Sequence, residues 1–262
     1  MHLRTNIYSL FLSLLAFSFL SACQSTSEAH DEHASVPDVY VASNDPMGDV
    51  QDALNKAKAN DKHLLIVMGA SWCHDSRGFA THFVQPSLAA VLDEHYQTVF
   101  VDVGYFNDLR SISERFDQAH YFATPTVMIV NAKTEKLMNA SSMAQWGRAD
   151  SIPHEQYIEY FTHYANLKNA PEVNLSKKHQ AMINEFKQTQ GQRLMDAYIK
   201  LAPEMKKEDS EGKSSDEFIA LWREVRAFRL QLQQDIQGLY DKAHNQPSSK
   251  LDAPVYASFS WE

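Results

Sequence analysis

Apolar residues recur in two rhythms along the chain, and the change of rhythm divides it. Residues 63–68, 98–103 and 126–130 are short, nearly continuous apolar runs, the pattern of strands covered on both faces. Between them the apolar positions step by three and four. Asp45-Pro46 signals a helix through a capping acid and a first-turn proline, with Met47, Val50, Leu54 and Ala57 on one face. Phe79 and Phe83 mark a second helix, Pro86 opens a third that runs to His95, and 109–116 reads as a fourth. Residues 131–135 turn into a short strand at 136–138, and 153–165 closes this part with a helix. Strand, helices, strand, then a hairpin and a helix predict an α/β layered arrangement.

From 175 to 245 only the helical rhythm remains, among many Lys, Gln and Glu. Met182, Phe186, Leu194, Tyr198 and Leu201 share a face, with Gly191 as a point for a bend. Phe218, Leu221, Val225, Phe228, Leu232, Ile236 and Leu239 form a second stripe, preceded by a capping box at Ser214-Ser215-Asp216-Glu217. With 206–215 as a polar turn, the pair predicts an antiparallel helical hairpin. Its apolar face either packs on itself and the preceding domain or offers a docking site for a protein partner. In the tail, 246–262, the alternation of Val255, Ala257, Phe259 and Trp261 predicts one face of a strand.

The N-terminus has a different character. Arg4 precedes a charge-free apolar run over 7–20 that ends in Leu20-Ser21-Ala22-Cys23. The run is too short to span a bilayer as a mature helix and has the layout of a secretory signal over 1–22. Its ending resembles the lipobox of bacterial lipoproteins, which implies palmitate-type acylation of Cys23 and a membrane held through that lipid. Gln24 after the cysteine implies the outer membrane, facing the periplasm. Residues 23–45 read as a flexible tether, and the His30-Asp31-Glu32-His33 tract within it reads as solvated linker rather than a metal site. The chain is acidic, net −9, and more so once Arg4 leaves. That argues against a nucleic-acid partner.

Two cysteines are present in all. If Cys23 carries lipid, the remaining thiol is Cys73, no internal disulfide exists, and two-cysteine oxidoreductase chemistry is excluded. Cys73 stands in Trp72-Cys73-His74-Asp75-Ser76, between an apolar run and a helix. A thiolate there sits at the positive end of the helix dipole, and Ser76 can donate to the sulfur, whereas Asp75 opposes a second negative charge. This position predicts an exposed Cys73. The same residue type is also a common small buried hydrophobe, so a reactive thiol and an inert one both remain open. Neither cofactor nor metal is called for; Cys73, His74 and His82 do not share one helical face.

The Gly69-Ala70-Ser71-Trp72-Cys73 turn, Val101-Asp102-Val103 and Ala123-Thr124-Pro125-Thr126 together resemble the thioredoxin superfamily over residues 46–168. The resemblance implies a thioredoxin-like central sheet flanked by helices, here with a C-terminal α-helical hairpin appendage. It also implies a cis Thr124-Pro125 bond facing Cys73, beside a groove for an extended substrate segment. Two departures count: Ser76 stands where the family has a second cysteine, and Val67 where it has a buried acid. The expected activity is monothiol thiol–disulfide exchange on protein or small-thiol disulfides. The alternative is a non-catalytic lipoprotein that keeps the fold to hold an extended segment.

Overall fold

The computed structural model describes residues 37–170 and 175–262. Cys23, the leader and the histidine tract lie outside those residues. Strands β1 (His63–Gly69), β2 (Tyr96–Asp102), β3 (Thr126–Asn131) and β4 (Lys136–Leu137) form one sheet in the order β2-β1-β3-β4. β1 and β2 run parallel, joined by helices α2 (His74–Phe83) and α3 (Pro86–His95); β3 is antiparallel to both β1 and β4. Helix α1 (Pro46–Ala59) precedes β1, α4 (Arg110–Arg115) follows β2, and α5 (His154–Ala165) follows β4. Asp45 caps α1 by accepting the Gly48 N–H at 2.9 Å.

Alternation along β1 and β3 assigns the two faces. Leu64, Ile66, Met68, Met128 and Val130 face α1 and α4, while Leu65, Val67, Val127 and Ile129 face α2, α3 and α5. One element has no counterpart in the apolar pattern: a 3₁₀ helix, Met143–Ser151, with non-helical backbone at Arg148. It brings Trp146 into the second core against Phe79 and Phe161, with ring centroids 5.2 and 5.6 Å away.

The hairpin consists of α6 (Lys177–Glu211) and α7 (Asp216–Asn245). Its buried residues, among them Leu194, Leu201, Leu232 and Ile236, belong to the same apolar cluster as Leu54, Leu64 and Ile66. The contact is close at Gly191, where an added Cβ would lie 3.4 Å from His120 Cβ and 3.6 Å from the Phe122 ring. α6 continues through that glycine as helix. Lys187, also on α6, is buried and donates to Gln118 at 2.7 Å; burial pushes its ammonium down to about 8.

Two expectations are corrected. The turn is not 206–215: α6 runs through Pro203 to Glu211, and only residues 212–215 join the helices. Residues 206–211 are polar because they face solvent, and buried Leu201 and Met205 hold the helix on past the proline. Gly212 closes α6 in the left-handed region, φ 65°, donating to Glu208 O, and Ser215 caps α7 by accepting the Phe218 N–H. The tail is not a strand. Val255 is 94% exposed while Trp261 is buried. Phe259 and Trp261 stack at 4.3 Å, and Arg193 of α6 donates to Ala257 O and pairs with Glu262. Side-chain anchoring on the helices, with no ladder, holds this segment.

Burial of His120 between the domain and α6 has a measurable consequence. Its Nδ1 lies 2.9 Å from Tyr121 O and its Nε2 3.4 Å from Met195 Sδ, and burial lowers its pKa to about 4. The unfolded chain takes up this proton near 6.5, the folded one only near 4. Stability is therefore full above 6.5 and falls as pH drops towards 4, by up to about 3 kcal/mol. Denaturant titrations at pH 7 and pH 4.5 should show this loss in wild type and a smaller one in His120→Phe. An equal loss in both would dismiss His120 as its source.

Candidate functional site

β1 ends at Gly69, the chain turns through 70–72, and Cys73 takes extended backbone as the N-cap of α2. Its N–H donates to Ala70 O and its carbonyl accepts from Arg77 N–H, so the sulfur is mounted on a turn closed at both ends. The Thr124-Pro125 bond is cis. Thr124 meets the thiol: Sγ lies 3.1 Å from Thr124 O, and Thr124 Oγ1 donates to Sγ at 3.2 Å. The expected exposure of Cys73 is corrected, since the residue is 8% exposed. Thr124 covers one side of it. Beside it, the Trp72 indole is fixed by donating to Gly104 O at 2.7 Å and packs on Phe106 and on Trp222 of α7.

Ser76 is fully buried, and its hydrogen bond goes to the backbone rather than to sulfur: Oγ accepts the Ala70 N–H at 3.3 Å. Gly69 makes this possible. A Cβ there would come within 2.7 Å of Ser76 Oγ and 2.5 Å of the Tyr40 ring. Tyr40 donates to Ser76 O at 3.3 Å and packs edge-on to Phe100, so the stretch read as tether is tied down at this residue. Burial raises the Tyr40 hydroxyl well above its ordinary range.

His74 and Asp75 both turn to the 3₁₀ helix. His74, 72% exposed on its side chain, has Nδ1 3.5 Å from Asp150 Oδ2, and Asp75 Oδ1 accepts the Asp150 N–H at 3.2 Å. Partial burial raises the Asp75 carboxyl, against that backbone hydrogen bond and the nearby His74. His82 lies at the other end of α2, its Nδ1 3.0 Å from His154 Nδ1. Among the described residues no group of three or more His, Cys, Asp or Glu is arranged to hold a metal. Val67 is fully buried in the second core.

The structure thus brings Cys73, Trp72, Thr124 and Pro125 together, sets Ser76 beneath them, and directs His74 and Asp75 to one side. Sequence reasoning missed the part α7 plays. Trp222 packs on Trp72, Arg226 acts electrostatically on Asp75, Arg229 lies over Phe106, and Gln233 reaches Gly147 of the 3₁₀ helix. Their spacing of four, three and four is itself helical, a second stripe beside the apolar one. It consists mostly of polar residues and so carries no apolar periodicity.

Residues 45–132 match a protein family described as thioredoxin-like. A crystal structure described as a disulphide isomerase from Xylella fastidiosa Temecula1 aligns with 24% identity over 48% of this chain and 96% of its own, at a TM-score of 0.45. No curated protein matches the chain.

Proposed function

With a thioredoxin-like domain built on residues 45–132 as the premise, we propose that this protein performs monothiol thiol–disulfide exchange through Cys73. One observation carries the proposal: Sγ meets the Thr124 carbonyl and hydroxyl while Cys73 occupies the N-cap position of α2. The Cys73 thiolate attacks one sulfur of a protein or small-molecule disulfide. A new S–S bond forms as the old one breaks, and the second sulfur leaves as thiolate. Because Ser76 supplies no resolving thiol, an external thiol attacks the mixed disulfide and regenerates Cys73. Each step exchanges one S–S bond for another, with no net electron demand on the chain.

The same proposal places the protein on the outer membrane, facing the periplasm and anchored through acylated Cys23. Metabolic labelling with a fatty-acid analogue is expected to mark wild type and leave Cys23→Ala unmarked. Label retained in the variant would remove the anchor.

One observation favours a second reading. Cys73 is 8% exposed, with α7 packed beside its turn. In that reading the Thr124-Pro125 groove holds an extended segment without turnover. Mixed disulfides trapped at Cys73 in cells, identified by mass spectrometry after non-reducing separation, support exchange. Recovery of the same partners with Cys73→Ala supports holding alone.

A further inference from the structure

A cavity of about 330 Å³ lies between Trp72 of the active-site turn and the end of the hairpin. Trp72, joined to Cys73 by a peptide bond, forms one wall. Met205 near the end of α6 and Phe218, Ile219 and Trp222 in the first turns of α7 form the other. Met205 and Phe218 are buried and Trp72, Ile219 and Trp222 half-buried, so the interior is apolar and largely aromatic. Exposed Glu208, Ser214 and Arg223 complete the lining. The Ser214 hydroxyl donates to Glu208 at 2.7 Å. Arg223 has no ion pair or hydrogen bond among the described residues.

Both walls are tied to one loop, residues 104–106. Trp72 Nε1 donates to Gly104 O at 2.7 Å. On the hairpin side, Tyr105 donates to Asp209 of α6 at 2.7 Å, and Phe106 lies flat on Tyr198 at 4.0 Å. The walls are therefore fixed relative to one another before anything binds. A side chain entering there meets a preformed surface, which spares the ordering cost that docking otherwise carries. The volume stands at the small end of ligand sites, which run from about 300 to 1,000 Å³. It suits one large side chain rather than a whole cofactor.

We propose that this cavity takes an aromatic side chain flanking the cysteine of an extended partner segment, with an acidic neighbour of that side chain meeting Arg223. The walls choose the ring: Trp72, Phe218 and Trp222 offer faces and edges, and Met205 offers a sulfur contact. The chain path chooses the position. An extended segment advances about 3.3 Å per residue, so a partner sulfur at Cys73 leaves its flanking residues beside Trp72. Arg223 chooses the charge, since an unpaired guanidinium favours a carboxylate. The hairpin, which lies outside the thioredoxin-like stretch 45–132, then selects protein partners by the residues around their cysteine. This rests on the reading of the Cys73 turn as the place where a partner segment binds, by exchange or by holding.

The test uses the full-length protein in detergent and short peptides with a thiopyridyl-activated cysteine. Attack by the Cys73 thiolate joins peptide to protein through a new S–S bond and releases thiopyridone, which is followed by absorbance. In the reference peptide phenylalanine and glutamate flank the cysteine on both sides; serine replaces phenylalanine in a second peptide, and lysine replaces glutamate in a third. The reference peptide should react about tenfold faster than the serine one, as burial of one ring implies. Ile219→Trp, which fills the cavity, should bring that ratio close to one. Arg223→Glu, a surface change, should reverse the preference for glutamate over lysine. Each readout is a ratio of two peptides on one protein, so a general change in thiol reactivity cancels. Equal rates for the phenylalanine and serine peptides on wild type would overturn the proposal. So would a phenylalanine preference that survives Ile219→Trp, or a glutamate preference that survives Arg223→Glu. Anisotropy of a dye-labelled reference peptide with serine in place of its cysteine reads the cavity without any thiol chemistry. Its binding should weaken about tenfold in Ile219→Trp, and equal binding would overturn the proposal. If no peptide reacts at Cys73 the exchange reading fails, and the anisotropy alone decides the cavity.

Discussion

Replacing Cys73 by Ala is expected to abolish every reducible adduct the mature protein forms, and replacing Ser76 by Cys to convert those adducts into turnover. Wild type should accumulate mixed disulfides, because exchange needs a thiolate within reach of the bonded sulfur and the described chain holds only one free thiol. It should reduce insulin-type disulfides poorly unless a small thiol such as glutathione is supplied. Ser76 lies one helical turn after Cys73, buried under it, so a cysteine there places a resolving thiol at the right end of α2. The substitution weakens the hydrogen bond from Ala70 N–H, at a cost of about 1 kcal/mol. Because Val67 leaves no buried acid, the gain in turnover is expected to be partial. Non-reducing gels and a turnover assay on wild type, Cys73→Ala and Ser76→Cys decide it. Adducts unchanged in Cys73→Ala, together with no gain in Ser76→Cys, would hand the function to the holding reading.

Leu232→Ala should cost about 2–5 kcal/mol, as for a fully buried leucine truncated in a packed core. Leu232 sits on α7, yet its cluster includes Leu54 of α1 and Ile66 of β1. The loss should therefore appear in one cooperative transition that lowers the denaturant midpoint of the whole described body, followed by tryptophan fluorescence for Trp146 and Trp222 and by circular dichroism for the helices. Two separated transitions, with the sheet domain unaffected, would show the hairpin to be an independent unit.

Much of this architecture is legible in the sequence because the deciding forces are local. Asp45-Pro46 and Ser215 mark helix starts through capping, and continuous apolar runs mark strands buried on two sides. Thr124-Pro125 and Trp72-Cys73 mark the site through their resemblance to the thioredoxin superfamily, which implies a cis bond facing a thiol at a helix end. What stayed hidden depends on packing between distant segments. Cys73 was expected to be exposed, but its cover comes from Thr124, fifty-one residues away. Tyr40 looks like tether until Phe100 and Ser76 are placed beside it. Alternation in the tail suggested pairing, whereas Arg193 and a stack of two rings hold it without a ladder. The polar stripe of α7 acquires meaning only when α7 lies against the active-site turn.

β1 has a consequence for motion. It is hydrogen-bonded to β2 on one side and β3 on the other, and six consecutive residues from Leu64 to Gly69 are buried. Local fraying cannot expose such amides; they exchange with solvent deuterium only when the whole body opens. Cys73 follows four residues after this strand, so its backbone is mounted on a strand that is buried and paired on both sides. Any give needed to seat a disulfide partner must come from the rotamers and helix surfaces around the sulfur, with the turn that carries it held still.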